Sequence, residues 1–298
     1  MDLVAIPPMT SMPAPPSGFI SPLRRHKPRQ ETAVARRRYR RALVALARAG
    51  VPYVVGGAYA MERYTGIARW TKDLDIFILP RDVDVALERL RAAGFQTEVP
   101  FPHWLAKAYA ARDFVDLIFS SGNGIAEVDE DWMRYGTPGT VLGVPVRLCP
   151  PEEMIWSKAY VAERERYDGA DIAHLIRAGH DDLDWERLLR RFGDHWRLLL
   201  SHLVLFEFVY PSEPAPRARA LARRLARRHA EEGEPPAGEP VCHGTLLSRA
   251  QYLPDITVWG YADARLAPRG RMSEDDVFRW TSAVRQDEEA RDAHRGGG

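Results

Sequence analysis

The chain has 298 residues, of which 45% are hydrophobic and 28% charged, and its formal net charge is +1. This length suggests about two domains, and the composition is typical of a globular protein that can bury a sizeable core. No apolar run approaches the roughly 20 residues that a helix needs to cross a bilayer, so we expect no membrane association. The only cysteines, Cys149 and Cys242, match no metal-ligand spacing, and a reducing cytoplasm is the simplest expected location.

The N-terminal region changes from a proline-rich tail to a basic amphipathic helix. Residues 1–30 contain seven prolines and no periodic pattern, which predicts a disordered tail. Residues 31–50 show helical spacing, with Tyr39 and Leu43 on the apolar face. The segment 24–48 contains ten Lys or Arg against a single Glu. Such a helix could neutralise the phosphates of RNA or DNA, although a merely solvated face explains the same pattern.

Residues 51–79 then read as a strand, a turn, a short helix and a second strand. Val51–Val55 is a β-branched and aromatic run of the kind found in buried strands. Because neither Gly56 nor Gly57 carries a Cβ, the backbone can turn sharply there and approach a ligand closely. The N–H groups at the start of the short helix would favour a bound phosphate. The second strand is predicted over Leu74–Leu79.

Two aspartates, Asp73 and Asp75, stand at the start of this second strand. Side chains alternate along a strand, so residues two apart project from the same face. Paired carboxylates repel each other and are costly unless a cation lies between them. Mg²⁺ prefers oxygen ligands and shares its coordination with substrate phosphates, so it is the expected occupant. The alternative interpretation is a solvated start of a strand with a chance spacing.

These residues carry a resemblance to a known superfamily. Gly56-Gly57 followed by Arg69-Trp70-Thr71-Lys72-Asp73-Leu74-Asp75 resembles the signature of the DNA polymerase β-type nucleotidyltransferases. The Arg-x-Thr-x-Asp-x-Asp form is most similar to the bacterial AbiEii-like branch, which includes toxin nucleotidyltransferases. The resemblance implies that the glycines and Thr71 contact the nucleotide and that Asp73 and Asp75 hold the metal.

The resemblance also implies a third carboxylate from a later strand. The candidate is Asp116 in the run Asp113–Phe119, where it lies among apolar neighbours and an unpaired charge would be costly. It would share the metal and help to activate the acceptor. The alternative is a buried aspartate bonded to backbone groups. Asp113 is expected at the start of the strand or in a loop.

A second, weaker motif lies in the run from Lys158 to Asp171. The AbiEii-like branch has a helical Lys, a basic residue and an Asp-x-x-Asp here, so Lys158 would contact the nucleotide phosphates and Asp168 or Asp171 would orient that lysine or assist the acceptor hydroxyl. The chain has Arg166-Tyr167-Asp168 where many relatives have Arg-Lys-Asp, which leaves the role of Asp168 open. A solvated helix face with salt bridges is the alternative.

The predicted fold is α/β (α+β): a small mixed β-sheet nucleotidyltransferase core flanked by helices, a helical layer and a small C-terminal extension. A strongly apolar helix at 195–210 is expected to be buried on most sides. The expected divisions are a disordered tail at 1–30, the core at 31–150, a helical subdomain at 151–212, a linker with one basic helix at 213–240, a docking segment at 241–284 and a disordered tail at 285–298.

The expected function is Mg²⁺-dependent transfer of a nucleoside monophosphate from a nucleoside triphosphate to an acceptor hydroxyl, with two ions held by Asp73, Asp75 and Asp116. RNA, and tRNA foremost, is the first acceptor to consider, as in toxin members of the resembling branch, whose context also implies an antitoxin protein. A small molecule or a protein hydroxyl is the second. A nucleotide-binding interaction module without turnover is the third. The sequence does not identify the base, the acceptor or the oligomeric state.

Overall fold

The computed structural model describes residues 32–69, 71–233 and 238–283, so the predicted disordered tails lie outside the described residues. The helices are α1 (Ala33–Arg48), α2 (Gly57–Thr65), α3 (Val83–Ala92), α4 (Glu130–Tyr135), α5 (Pro151–Ala159), α6 (Gly169–Gly179), α7 (Trp185–Phe192), α8 (Trp196–Val209), α9 (Pro216–Glu231) and α10 (Leu253–Thr257), and residues 274–283 are also helical. The strands are β1 (Tyr53–Val55), β2 (Asp73–Ile78), β3 (Gln96–Phe101), β4 (Leu105–Ala110), β5 (Asp113–Ile118), β6 (Thr137–Val141), β7 (Val144–Leu148), β8 (Val241–Cys242) and β9 (Ala262–Asp263).

Seven of these strands form one mixed sheet in the order β3-β4-β5-β2-β1-β7-β6. At its centre β2 runs parallel to β5 and antiparallel to β1. The inward residues of β2, such as Leu74 and Ile76, are fully buried, which is why the apolar positions alternate with the aspartates. The predicted α/β fold with a small mixed sheet and flanking helices is confirmed.

Helix α1 packs its apolar face on the sheet and on α3. Tyr39, Leu43 and Leu46 are buried, as the helical spacing predicts. Thr32 caps the helix by accepting a 3.1 Å hydrogen bond from the N–H of Ala35. The hydroxyl of Tyr39 donates a 2.8 Å bond to the carbonyl of Lys72, directly before β2. The buried face of α1 is therefore held beside the start of the strand that carries the two aspartates.

Strand β4 has no counterpart in the sequence analysis, which assigned no strand between Phe101 and Asp113. Its sequence is Leu-Ala-Lys-Ala-Tyr-Ala, and alanine has little intrinsic preference for strands. Pairing on both sides determines the outcome, because β4 lies antiparallel between β3 and β5. Tertiary context overrides the local propensity here.

Helices α5 to α9 form a layer in which α8 packs against α6, α7 and α9. Leu199, Leu203 and Phe206 of α8 are buried in these contacts. The prediction that this helix is buried on most sides is wrong, since Val204, Phe208 and Val209 are exposed. The neighbouring helices cover one face of α8, and within the described residues the opposite strip faces solvent.

A buried charge cluster fastens α7 to the start of α5. Arg187 on α7 places Nη1 2.5 Å from Oε1 of Glu153 and Nη2 2.5 Å from Oε2 of Glu152. All three side chains are less than 10% exposed. Arg191, one turn further on, bonds Glu153 at 3.0 Å and Asp129 at 2.5 Å. Buried charges are tolerated only when they are paired in this way.

The C-terminal part of the chain forms the short parallel pair β8–β9 and the helical stretch 274–283. Within the described residues of this part, Arg265 is fully buried and pairs with Asp263 at 2.6 Å. None of the helices in the described ranges is long and apolar enough to cross a membrane.

Candidate active site

The register of β2 and β5 brings the three predicted carboxylates together. Asp75 lies directly opposite Asp116, and Asp73 lies two residues before Asp75 on the same face of β2. Parallel neighbours in a sheet are about 4.8 Å apart, so the carboxylates of Asp75 and Asp116 share one small region. Asp113 is the first residue of β5 and pairs instead with Arg38 on α1 at 2.5 Å.

The turn from β1 into α2 packs directly on this strand. Gly57 has a φ of 52°, and a Cβ built there would lie 1.7 Å from Oδ2 of Asp75. At Gly56 a Cβ would lie 2.3 Å from the ring of Phe77, and the Gly56 N–H donates a 3.0 Å bond to the carbonyl of Asp75. Both glycines are therefore required by close packing, and the start of the nine-residue helix α2 lies against the Asp75 carboxylate.

The environment of Asp75 disfavours the ionised form of its carboxyl group. Burial, reinforced by the nearby charges of Asp73 and Asp116, raises its pKa to about 7, although Lys158 and Arg166 oppose the shift. At neutral pH the side chain is poised between its protonated and ionised forms. A divalent cation between the carboxylates would remove the repulsion and favour the ionised form.

Asp116 and Asp73 each have a partner that orients the carboxylate. The Lys107 ammonium on β4 lies 2.6 Å from Oδ1 of Asp116, which excludes the interpretation that Asp116 is simply bonded to backbone groups. Burial nevertheless raises the pKa of Asp116, with Lys107 opposing the shift and Asp73 adding to it. Thr71, predicted to contact the nucleotide, donates its hydroxyl to Oδ1 of Asp73. No sequence pattern indicated Lys107, because its strand, β4, was not predicted.

The second motif forms a charge network at the end of α5. Nζ of Lys158 lies 2.8 Å from a carboxylate oxygen of Asp168 and 2.8 Å from one of Asp171. Arg166 contacts Asp168, and Arg69 contacts Asp171. Burial would raise the pKa of Asp168, but Lys158 and Arg166 together hold it below its usual value. Both aspartates are thus ion-paired with Lys158, and Arg166 joins them, while the contact of Lys158 with nucleotide phosphates stays a prediction.

A cavity of about 260 Å³ connects the two groups of charges. Gly57 and Asp75 line it from the sheet side, while Lys158, Arg166 and Asp168 line it from the helical layer. The convergence of these residues on one cavity has no local sequence signal, because they come from segments more than 80 residues apart.

The carboxylates fit a metal that is shared with a substrate better than a complete protein cage. No group of three or more His, Cys, Asp or Glu side chains in the described ranges is arranged to enclose an ion by itself. Mg²⁺ commonly takes only one or two carboxylates from the protein and completes its shell with phosphate oxygens and water. Asp75 lies opposite Asp116, and the repulsion from Asp73 and Asp116 adds to the effect of burial on the Asp75 pKa, so an ion that neutralises these carboxylates fits the residues present.

The seven-stranded mixed sheet flanked by helices is consistent with a nucleotidyltransferase core. The chain belongs to the family described as "Uncharacterised nucleotidyltransferase", whose sequence model matches residues 23–202. It is therefore a transferase that takes a nucleotide substrate. The family match does not single out the AbiEii-like branch, which stays a prediction. No match is found among curated proteins.

Several solved structures share similarity over much of the chain. The antibiotic-resistance factor ANT(2″)-Ia, in complex with adenylyl-2″-tobramycin, is 15% identical over 66% of this chain and 99% of its own, with a TM-score of 0.38. JHP933 from Helicobacter pylori is 13% identical over 67% and 97%, with a TM-score of 0.37. The lincosamide adenylyltransferase LnuA is 16% identical over 47% and 94%, with a TM-score of 0.35. Because the sequence identities and TM-scores are this low, the substrates named for these structures are not assigned to this chain.

Proposed function

We propose that the chain transfers a nucleoside monophosphate from a nucleoside triphosphate to an acceptor hydroxyl, with Mg²⁺ as cofactor. The observation that carries the proposal is the register that sets Asp73, Asp75 and Asp116 side by side against the glycine turn. The resemblance of Gly56-Gly57 and Asp-x-Asp to polymerase β-type enzymes supports it. Absence of a membrane-spanning helix in the described residues is compatible with the proposed cytoplasmic location.

The residues divide the chemical work as follows. The start of α2 and the ammonium of Lys158 bind the triphosphate, since both present positive charge beside Asp75. Asp73, Asp75 and Asp116 would hold two Mg²⁺ ions, which supply charge neutralisation at the attacking and leaving oxygens. The acceptor oxygen bonds to the α-phosphorus while the bond to the β-phosphate breaks and pyrophosphate leaves. Asp116 would receive the acceptor's proton, and its raised pKa supports this role.

Label transfer tests this proposal directly. Purified protein is incubated with each α-³²P-labelled nucleoside triphosphate, Mg²⁺ and total bacterial RNA, beside the Asp73→Ala/Asp75→Ala variant. We expect label in RNA with the wild type only, and the nucleotide that gives it is the substrate. If label appeared in a small molecule or in protein instead, RNA would be rejected as the acceptor but nucleotidyl transfer would be retained. If no acceptor were labelled, the protein would be a nucleotide-binding module without turnover.

We favour RNA as the acceptor because of the basic face of α1. Arg37, Arg40, Arg41 and Arg48 line one surface depression, and all four are exposed. Phosphate backbones bind to such surfaces through counterion release. A tRNA acceptor and an antitoxin partner, as in toxin members of the resembling branch, extend this proposal. In that context we expect expression of the wild type to arrest growth, and expression of Asp73→Ala/Asp75→Ala to leave growth unchanged.

Salt dependence separates this surface from the second basic helix, α9. Replacing Arg37 and Arg40 by Gln should weaken RNA binding and reduce the slope of log K against log salt by about 1 for each lost phosphate contact. The control replaces Arg223 and Arg227, two exposed arginines of α9, by Gln. Fluorescence anisotropy over a range of salt concentrations measures both. Equal slopes in the wild type and the α1 variant would reject the α1 surface as the RNA contact.

A further inference from the structure

The cavity beside Asp75 has room for one substrate, and its lining indicates which one. Of the three carboxylates, Asp75 is the one found among the described lining residues. Gly57, Lys158 and Arg166, which can bind phosphates, line the same cavity. Its volume of about 260 Å³ lies below the roughly 300–1,000 Å³ of ordinary ligand pockets. On the proposed function, the nucleotide therefore occupies the cavity and the acceptor approaches from the side of Asp73 and Asp116.

Besides its charged residues, the cavity has an apolar and aromatic lining. Phe77 and Ile118 continue the faces of β2 and β5 that carry Asp75 and Asp116, two residues further along each strand. Trp104 and Trp280 also line this part, together with Leu246. A nucleoside triphosphate has one flat, largely apolar portion, its base, and base stacking on aromatic side chains tolerates any base. The apolar end thus matches the base when phosphates lie at the charged end.

Much of this apolar end comes from residues 241–283, which lie outside the family match at 23–202. The segment is fixed to the core by specific contacts. Asn123, buried in the loop after β5, donates a 2.8 Å bond to the carbonyl of Leu246. Arg249 bonds both carboxylate oxygens of Glu163, at 2.8 and 2.9 Å. The segment is therefore anchored to the core by specific hydrogen bonds and an ion pair, and it forms one wall of the cavity.

Trp280 is the central residue of this wall. It is buried, and a Cβ on Gly122 would lie 2.7 Å from its Nε1, so the indole packs directly on the glycine backbone. The buried Arg265 lies 5.9 Å from the ring centroid, within cation-π range. Ser120, also buried, lines the cavity beside it, and none of the hydrogen bonds among the described residues uses its hydroxyl. A fixed aromatic ring and a spare hydroxyl are suited to hold a base and to contact its edge.

We propose that residues 241–283 complete a nucleobase pocket, in which Trp280 stacks on the base of the bound nucleoside triphosphate and Ser120 contacts the base edge. The stacking surface is then supplied by a part of the chain that the family match does not include, whereas Ser120, which would discriminate between bases, lies within the match. This inference rests on the proposed function for the position of the phosphates.

Binding of two probes to the full-length protein separates the base from the phosphates. The probes are the four non-hydrolysable nucleoside triphosphate analogues and inorganic triphosphate, measured by titration calorimetry with Mg²⁺. Trp280→Leu, which keeps apolar packing but removes the flat ring, should bind the preferred nucleotide roughly tenfold to hundredfold more weakly. Its affinity for inorganic triphosphate should stay unchanged. Trp280→Phe should retain most of the nucleotide affinity, and Ser120→Ala should alter the ranking of the four bases.

The control is Trp259→Leu, which changes a tryptophan of the same segment that is 69% exposed and does not line the cavity. If Trp280→Leu and Trp259→Leu bind the preferred nucleotide equally well, the base lies elsewhere and this inference is overturned, while the transferase proposal stands. If the wild type binds inorganic triphosphate as tightly as every nucleotide, the base pocket is also rejected. Failure of the wild type to bind either probe and to transfer label would instead reject the proposed function.

Discussion

Asp75→Asn should lose label transfer by roughly a thousandfold or more, because a carboxylate that holds the metal supplies several kcal/mol of charge stabilisation. The amide is nearly isosteric, so the contact with Gly57 and the pairing of β2 with β5 are kept. The rate of α-³²P transfer at saturating Mg²⁺ and nucleotide measures the loss. Nucleotide binding by Lys158 and the start of α2 should persist, so the loss falls on kcat more than on KM.

Asp113→Asn is the matched control, since Asp113 lies on β5 three residues before Asp116 and pairs with Arg38. It changes the same chemical group by the same amount, away from the cavity, and should retain transfer within a few-fold. If Asp75→Asn were as active as Asp113→Asn, the assignment of Asp75 to the metal would be wrong.

Although Asp75→Asn should lose activity, the metal-free variant should be more stable than the wild type, by an amount that depends on pH. Folding raises the pKa of Asp75 from its ordinary value to about 7, so between about pH 4 and 7 the folded state holds a proton that the unfolded state has released. Stability of the metal-free wild type therefore falls as pH rises through this window and is level above it. The Asn variant has no such loss. In EDTA at pH 8 it should be more stable than the wild type by about 2 kcal/mol, with a smaller margin at pH 5.

Adding Mg²⁺ to the same melts, with a non-hydrolysable nucleoside triphosphate present throughout, provides the complementary control. Binding to the native state stabilises the wild type, and the gain should be larger at pH 8 than at pH 5, because the ligands must be ionised. The Asn variant should gain little at either pH. A wild type whose melting temperature is the same with EDTA and with Mg²⁺ at pH 8 would contradict the proposed metal site.

The parts of this site that could be predicted are those encoded within a few residues of each other. The alternation that puts Asp73 and Asp75 on one face, and the close approach that Gly57 allows, are local consequences of strand and glycine geometry. The neighbour relation of Asp75 and Asp116 came from the superfamily resemblance, because sheet register joins residues that are distant in the chain. Lys107 was missed for a different reason: its strand is rich in alanine and forms through pairing alone.

The cavity wall formed by Trp280 and Arg249 could not be predicted from the sequence. Its residues are 100 or more positions from the Asp-x-Asp motif, and their sequence shows only apolar density without periodicity. The packing of Trp280 on Gly122 and the pairing of Arg249 with Glu163 exist only once the chain has folded. Amphipathic patterns predicted α1 well but overstated the burial of α8, because an apolar strip does not report whether a neighbouring element covers it.

The largest expected effect on stability is that of Arg187→Met, which removes the cation between Glu152 and Glu153 but keeps most of its volume. Removing one partner of a buried ion pair leaves the other charge uncompensated and costs about 3–5 kcal/mol. Glu153 is fully buried and would keep only Arg191. Urea denaturation with a circular dichroism readout measures the change in the free energy of unfolding. The loss should be smaller at pH 5 than at pH 8, because burial already raises the pKa of Glu153 and loss of Arg187 raises it further.

Arg224→Met is the matched control, because Arg224 pairs with Glu186 at 2.7 Å on the exposed surface of the same helical layer. An exposed pair is worth at most about 1 kcal/mol, so this variant should stay near the wild-type free energy of unfolding. If the two variants lost the same free energy of unfolding, the buried Arg187 cluster would contribute no more to stability than an exposed ion pair. The cluster also bears on activity, since Glu152 and Glu153 start the helix that carries Lys158 in its last turn. Arg187→Met should therefore raise KM for the nucleotide at temperatures where the protein is still folded, and Arg224→Met should not.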